Sequence, residues 1–169
     1  MKKIELDPDQ IITLKDYPVY SNNILCDYFS KCKQGKEVPF VPVIQKEIVR
    51  EYFNDTLRKK LTKFEKSHPK ANFFMLDGSH RTTALTLSGC KIMVVIYEKD
   101  EDIFEAKKMV GKGQICESET LNHTLKENCK ILNIHFSEKP YFMTVEEKTT
   151  KMSKEKKVPQ EITEYCTKS

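Results

Sequence analysis

Five consecutive residues near the middle of the chain carry side chains suited to charged-group chemistry: Asp77, Gly78, Ser79, His80 and Arg81. Arg81 offers a planar fork of donors that suits phosphate, and Gly78 lets the backbone approach a ligand closely. Asp77 would repel a bare phosphate, so its presence makes sense if it holds magnesium or accepts a proton from a hydroxyl group. His80 can donate to a phosphate or titrate near neutral pH. This pattern favours phosphate binding with Asp77 and His80 as catalytic candidates.

The elements around residues 77–83, called the box below, would place these side chains together. The apolar run Phe73 to Leu76 predicts a short buried strand, and Thr82 to Ser88 predicts a short helix. A strand that leads into a helix puts the box at the first helical turn, where free N–H groups and the helix dipole attract anions. Further hydroxyl donors come from Ser79, Thr82 and Thr83. The alternative interpretation is structural, because Asp-Gly is a common turn pair and Ser-x-x-Thr can simply cap a helix.

The rest of the chain predicts an α/β (α+β) fold with a small mixed sheet flanked by helices. Other strands are expected at Lys2 to Leu6, Val38 to Ile44 and Lys91 to Tyr97. Prolines in the second of these favour an edge position or a bent start. Other helices are expected at Glu47 to Lys66, Ile103 to Val110, Ser118 to Ile134 and Thr144 to Ser153. Thr144 and Glu147 fit a capping box.

Gly111 and Gly113 mark a boundary between a nucleotide-binding domain, residues 1–112, and a helical extension, residues 113–169. Apolar residues recur in the extension at helical spacing and need an apolar partner: Leu121, Leu125, Cys129 and Leu132. The extension can dock on the sheet or form a dimer interface. Alternatively, it closes over the box as a lid and supplies acceptor specificity.

Composition narrows the setting of the protein. The net charge of +4 permits a phosphate-bearing ligand but is too small to indicate nucleic-acid binding by itself. No apolar run is long enough to span a bilayer, so we expect no membrane partner and a cytoplasmic location. In that compartment the six cysteines should be mostly reduced. One set has metal-binding residue types but no usual metal spacing, which disfavours zinc: Cys116, His123, Cys129 and His135.

One face of the predicted helix at Glu47 to Lys66 is basic and consists of Arg58, Lys59, Lys60, Lys63 and Lys66. A solvated helix surface is the ordinary interpretation of such a face. The alternative is a patch that binds DNA.

The stretch MLDGSHRTTALTLSGCKIMVVIYE, residues 75–98, resembles the phosphate-binding box of the ParB/sulfiredoxin superfamily. In that superfamily a strand ends in Asp-Gly-His-His-Arg or a related sequence, and a helix, a glycine and a strand follow. Upstream, CKQGKEV and PFVPVI resemble the helix and strand that precede the family's box. The likeness extends over roughly residues 1–110 and is specific around Asp77 to Gly89.

This resemblance implies nucleotide binding. Asp77-Gly78-x-His80-Arg81 looks most like the free serine kinases of the superfamily, which phosphorylate L-serine. The resemblance implies that the chain binds ATP or ADP with magnesium, which Asp77 would help to hold. It also implies that the phosphoryl group goes to a small hydroxyl compound. Ser79 stands where sulfiredoxins have their catalytic cysteine, so we expect no sulfiredoxin activity. The chain departs from the kinases near residues 17–23, where Asp16 is the nearest acid.

Two alternatives remain open at this stage. A ParB-like module would use a nucleotide, CTP included, to switch a DNA or protein interaction without small-molecule turnover. A domain that kept the fold and lost the ligand is the other alternative.

Overall fold

The computed structural model describes residues 1–14 and 21–168, and its centre is a mixed five-stranded sheet. The strands are β1 (Lys2–Leu6), β2 (Ile11–Ile12), β3 (Val41–Gln45), β4 (Phe73–Met75) and β5 (Ile92–Ile96). Their order across the sheet is β1-β5-β3-β4-β2. β1 with β5 and β3 with β4 are antiparallel pairs, whereas β3 with β5 and β2 with β4 are parallel. The predicted fold class is therefore confirmed.

Helices flank this sheet and form most of the chain's C-terminal third. They are α1 (Asn22–Lys33), α2 (Lys46–Arg50), α3 (Asp55–Ser67), α4 (Ser79–Leu87), α5 (Asp100–Val110), α6 (Leu125–Glu138), α7 (Val145–Lys154) and α8 (Gln160–Lys168). Two 3-10 turns occupy Pro8–Gln10 and Glu119–Asn122. Across the described residues, every helix falls short of the length and apolar character that crossing a bilayer requires.

The predicted edge position of the proline-containing strand is wrong. β3 begins at Val41 and lies in the centre of the sheet, between β5 and β4. Pro42 is paired with Val95, and its carbonyl accepts a hydrogen bond of 3.0 Å from the N–H of Leu76. A proline removes only the donor of its residue, so Pro42 keeps a central place by accepting.

Two long helices predicted from apolar spacing are interrupted, because polar residues inside them cap new helices. Instead of one helix over Glu47 to Lys66, α2 ends and the Asn54 side chain accepts from the N–H of Leu57 at 2.9 Å to begin α3. In the same way, Thr124 begins α6, so the predicted helix Ser118 to Ile134 becomes a 3-10 turn and a separate helix. Both caps satisfy N–H groups that a continuous helix would not have left open.

Most buried apolar residues form one group around the sheet, called the large core below. Phe74 of β4 lies at its centre, and the Phe53 ring contacts it edge to face at a centroid distance of 5.5 Å. Phe136 of α6 contacts Phe74 in the same manner, also at 5.5 Å, and is fully buried. A residue of the C-terminal extension is thus part of the main core.

A second, smaller group of buried side chains joins four helices and is called the small cluster below. Its members are Leu25 and Phe29 of α1, Ala84 of α4, Met152 of α7, Val158 just before α8, and Ile162 of α8. This cluster fixes α7 against α4. Because the box begins α4, the small cluster determines which part of the extension lies near the box.

Candidate functional site

The box begins in a tight turn between β4 and α4, and Gly78 makes that turn. Its φ of +111° lies in the left-handed region that side chains other than glycine rarely adopt. A Cβ at Gly78 would lie 3.1 Å from Nη2 of Arg81 and 3.2 Å from Cγ2 of Val41. Both backbone conformation and close packing therefore require glycine here.

Arg81 lies beneath this turn and is almost completely buried, with 3% of its side chain exposed. Its Nη2 donates to Oδ2 of Asp77 at 2.8 Å. Its Nη1 donates to the carbonyl oxygen of Phe40 at 2.6 Å and to that of Pro39 at 3.3 Å. These contacts join the turn to the segment that leads into β3, so Arg81 holds the box in place from below.

The threonines of the box are also buried. The hydroxyl of Thr82 donates to the carbonyl oxygen of Gly78, four residues earlier, at 2.9 Å, so its donor is used within the first turn. Thr82 is 1% exposed and Thr83 is 2% exposed. Ser79 is nearly buried, at 9%. The predicted phosphate contacts of these hydroxyls stay predictions, and the structure places Thr82 and Thr83 below the surface.

His80 is half-buried, as Asp77 is, and it contacts the start of α1. The N–H of Ser21 donates to its Nε2 at 3.3 Å, so this nitrogen carries a lone pair. Burial lowers the pKa of His80, and the positive charge of Lys148 lowers it further, against the opposing charge of Asp77. The imidazole is therefore neutral at neutral pH.

Lys148 of α7 also lies near His80, and it was not predicted from the sequence. Its Nζ donates to the carbonyl oxygen of Leu14 at 3.4 Å, and burial lowers its pKa to about 8. Val145 and Met152 are buried on the same helix, one turn to either side of it. Lys148 therefore lies on the apolar stripe of an amphipathic helix, where a charged residue is unusual. That position is the sequence signal that could have identified Lys148 as a site residue.

A phenol and a thiol lie on another side of the box. The hydroxyl of Tyr28 and Sγ of Cys116 are 3.6 Å apart. Burial, together with the hydrogen bond to Cys116, raises the pKa of Tyr28 to about 12. The charge of Asp77 raises this pKa further, and the charge of Arg81 opposes the increase. Cys116 thus brings a thiol near the box from a loop far along the chain.

The set considered for zinc is dispersed, since Cys129 lies fully buried in the large core and Cys116 lies beside Tyr28. In residues 1–14 and 21–168, no three His, Cys, Asp or Glu side chains come together as metal ligands. The described cysteines are all unpaired thiols: Cys26, Cys32, Cys90, Cys116 and Cys129.

Two other predicted features can be located. The basic residues lie on α3 and are exposed: Arg58, Lys59, Lys60, Lys63 and Lys66. Arg58 donates to the carbonyl oxygens of Arg50 and Glu51, which holds it against the end of α2. Asp16, the nearest acid to the kinase position, lies outside the described residues.

The fold and this site define the class of the protein: an α+β protein with a glycine-turn box at the start of a helix and a lysine from its C-terminal extension beside it. No protein-family model, no curated protein and no solved structure matches the chain.

Proposed function

We propose that the chain binds a nucleotide by its phosphates at the first turn of α4 and transfers a phosphoryl group from ATP or ADP to a small hydroxyl compound. One observation carries the proposal: the left-handed turn at Gly78 leads from β4 directly into the first turn of α4, with Asp77 and His80 half-buried at that turn. Together with burial, the charge of Lys148, from the extension, also lowers the pKa of His80. A helix N-terminus, an imidazole and a partly desolvated ammonium group around one point favour an anion. The likeness to the ParB/sulfiredoxin superfamily is part of the same proposal and rests on the sequence.

In this proposal the residues of the box have different roles, and their burial supports the division. Arg81 and Thr82 use their donors within the protein, so they position the turn. The phosphate would contact the N–H groups of Ser79 and His80 and the ammonium group of Lys148. Direct contact with Arg81 would require its guanidinium to leave Asp77 and the carbonyl groups beneath the turn.

Asp77 is the carboxylate available for chemistry in this arrangement. One of its oxygens accepts from Arg81, and the side chain is 36% exposed. Magnesium usually binds through one or two carboxylates together with phosphate oxygens and water. Asp77 would supply such a carboxylate. Bound magnesium would neutralise phosphate charge. Asp77 would orient the acceptor hydroxyl and take its proton.

Replacing Lys148 tests the proposal most directly. Lys148→Met should lower the affinity for ATP and ADP by about 1.5–3 kcal/mol, because a charge-assisted contact is lost. The fold should tolerate the change, since a desolvated charge is replaced by an apolar side chain of similar length. Calorimetry with and without magnesium measures the effect. Lys151→Met is the control, because Lys151 lies on α7 with 61% of its side chain exposed.

If both variants bind nucleotide as the unchanged chain does, the proposed site is wrong. If the unchanged chain binds no nucleotide in this experiment, nucleotide binding itself is wrong.

Lys148 also gives the site a characteristic pH dependence. Because its pKa is lowered to about 8 from an ordinary 10.5, nucleotide affinity should fall as pH rises above about 8. Stability should change in the opposite direction, since between about 8 and 10.5 the unfolded chain binds more protons than the folded chain, and a rise in pH then favours folding. Titrations and thermal unfolding between pH 7 and pH 10 check both signs, and Lys148→Met should remove both slopes.

A second candidate function rests on the exposed basic face of α3. A ParB-like module would bind DNA through Arg58, Lys59, Lys60, Lys63 and Lys66, with an affinity that falls steeply with salt. A gel-shift titration at two salt concentrations, with and without nucleotide, distinguishes this module from the enzyme. Product formed from a small hydroxyl compound favours the enzyme.

A further inference from the structure

The helices α1 and α4 pack side by side, and their contact begins at their first turns. There the N–H of Ser21, which caps α1, donates to Nε2 of His80. Further along, Leu25 and Phe29 of α1 pack with Ala84 of α4 in the small cluster. Two helices that stay in contact from their starts also bring their ends close to each other.

A thiol lies near the end of α1, on the side of the helix that faces α4. This residue, Cys32, continues the buried stripe of Leu25 and Phe29 at helical spacing and is 7% exposed. At about 1.5 Å per residue, α1 rises about 16 Å from its cap to Cys32. The same rise takes α4 about 12 Å from His80 to Ser88. Cys32 is therefore close to level with the end of α4.

A second thiol lies at that end of α4. Ser88 caps the helix, Gly89 turns the chain, and Cys90 follows. The N–H of Cys90 donates to the carbonyl oxygen of Leu85 at 2.9 Å, which holds the residue against the last helical turn. Its Sγ lies 3.9 Å from the carbonyl oxygen of Ser88, and its side chain is half-buried.

Electrostatics agree with this placement of the two thiols. Burial raises the pKa of Cys32, a hydrogen bond from the side chain of Ser88 lowers it, and the charge of Cys90 raises it further. The influence of one charge on another falls with the distance between them. Cys32 and Cys90 thus lie together around Ser88, as the packing of the helices requires.

We propose that Cys32 and Cys90 are a dithiol that hydroperoxides oxidise to a disulfide, which fastens the end of α1 to the end of α4. This proposal does not depend on nucleotide binding. Cys90 is the more exposed of the two thiols and meets the oxidant first. Cys32 is shielded from the oxidant but lies where it can attack the oxidised sulfur.

The oxidation has two steps. The thiolate sulfur of Cys90 attacks one oxygen of the hydroperoxide, the O–O bond breaks, and the other oxygen leaves as hydroxide or alkoxide. Cys90 is then a sulfenic acid. The thiolate of Cys32 attacks the sulfur of that acid, the S–S bond forms, and the S–O bond breaks with loss of hydroxide. The protons released by the two thiols neutralise the leaving groups, and the two electrons lost by the sulfurs reduce one hydroperoxide.

The disulfide would change how firmly α1 is held. In the reduced protein, a hydrogen bond holds α1 at its start and the small cluster holds it along its length. In the oxidised protein, a covalent bond also holds its end. Oxidation would therefore make it harder for α1 to separate from α4, the helix that begins at the box.

Mass spectrometry locates the disulfide after the full, reduced chain is treated with an equimolar amount of hydrogen peroxide. The main intramolecular product should join Cys32 to Cys90, and dithiothreitol should reverse the reaction. A main product that joins any other pair of cysteines, or a chain without a disulfide, would overturn the proposal.

Two variants test the separate roles of the thiols, with dimedone as a label for sulfenic acids. Cys32→Ser should increase the labelling of Cys90 several-fold, because no second thiol then removes the sulfenic acid. Cys26→Ser is the matched control, since Cys26 lies half-buried on the same helix, and it should leave the labelling of Cys90 unchanged. Equal labelling of Cys90 in the two variants would refute the role of Cys32.

Thermal unfolding tests whether the folded protein accommodates the bond. Oxidation should raise the unfolding midpoint by several degrees, because a crosslink between distant residues restricts the unfolded chain. Cys90→Ser should show no such rise after the same treatment. An unchanged or lower midpoint of the oxidised chain would show that the bond distorts the fold, and it would refute the fastening of α1 to α4.

Discussion

The large core and the small cluster differ in what they hold together. The large core packs strands and helices around Phe74, with aromatic rings from separate parts of the chain in edge-to-face contact. The small cluster has six buried members and fixes α7, and with it Lys148, against α4. We therefore expect stability to depend more on the large core and site geometry to depend more on the small cluster.

Removal of a ring from the large core should have the largest effect on stability. Phe136→Ala should lower the free energy of unfolding by about 3–5 kcal/mol, because a fully buried ring is replaced by a cavity. Molecules that remain folded should bind nucleotide as before. Denaturant unfolding and calorimetry measure the two properties. Tyr141→Ala, at an aromatic residue that is 54% exposed, is the control and should change neither property.

Arg81 lies at the boundary of the two regions, and its removal should come second. Arg81→Ala should cost about 2–3 kcal/mol of unfolding free energy, since Asp77 and the carbonyl oxygen of Phe40 lose a charged donor. Arg81→Lys should restore little of it, because one ammonium group cannot reproduce the planar fork. Stability equal to that of the control Lys91→Ala, an exposed site, would contradict the positioning role of Arg81.

A substitution in the small cluster should have the smallest effect on stability and a clear effect on the site. Ile162→Ala should cost about 2 kcal/mol of unfolding free energy, at the low end for such changes. It should also weaken nucleotide binding, because α7 then holds Lys148 less firmly against α4. Ile134→Ala, on an exposed side chain, is the matched control. If Ile162→Ala leaves the affinity unchanged, the two regions do not divide stability and site geometry in this way.

Local patterns were enough to predict many elements of the fold. Alternation predicted β1, and the Thr144–Glu147 capping box at the start of α7 is confirmed with both of its hydrogen bonds. Asn54 was missed because an asparagine within an apolar period resembles an ordinary surface position of one long helix. The central place of β3 could not be predicted, since it depends on which strands pair across the sheet.

The candidate site could be predicted only where it is continuous in sequence. The box stood out as a strand, a glycine turn and a helix, and the structure places it in that order. Burial divides its side chains, with Arg81 below the turn and His80 near the surface, and residue types alone do not indicate such a division. Lys148 and Cys116 come to the box from distant segments, through the packing of helices and loops that no local period describes.

The contact between β2 and the start of α7 also affects how the protein behaves in concentrated solution. β2 lies at an edge of the sheet, where unpaired backbone groups can recruit strands of other molecules. The N–H of Thr13 donates to the carbonyl oxygen of Met143 at 3.0 Å, and Ile12 forms a bridge with Thr144. The segment that begins α7 therefore covers this edge. The opposite edge, β1, carries exposed lysines, which discourage edge-to-edge aggregation by charge.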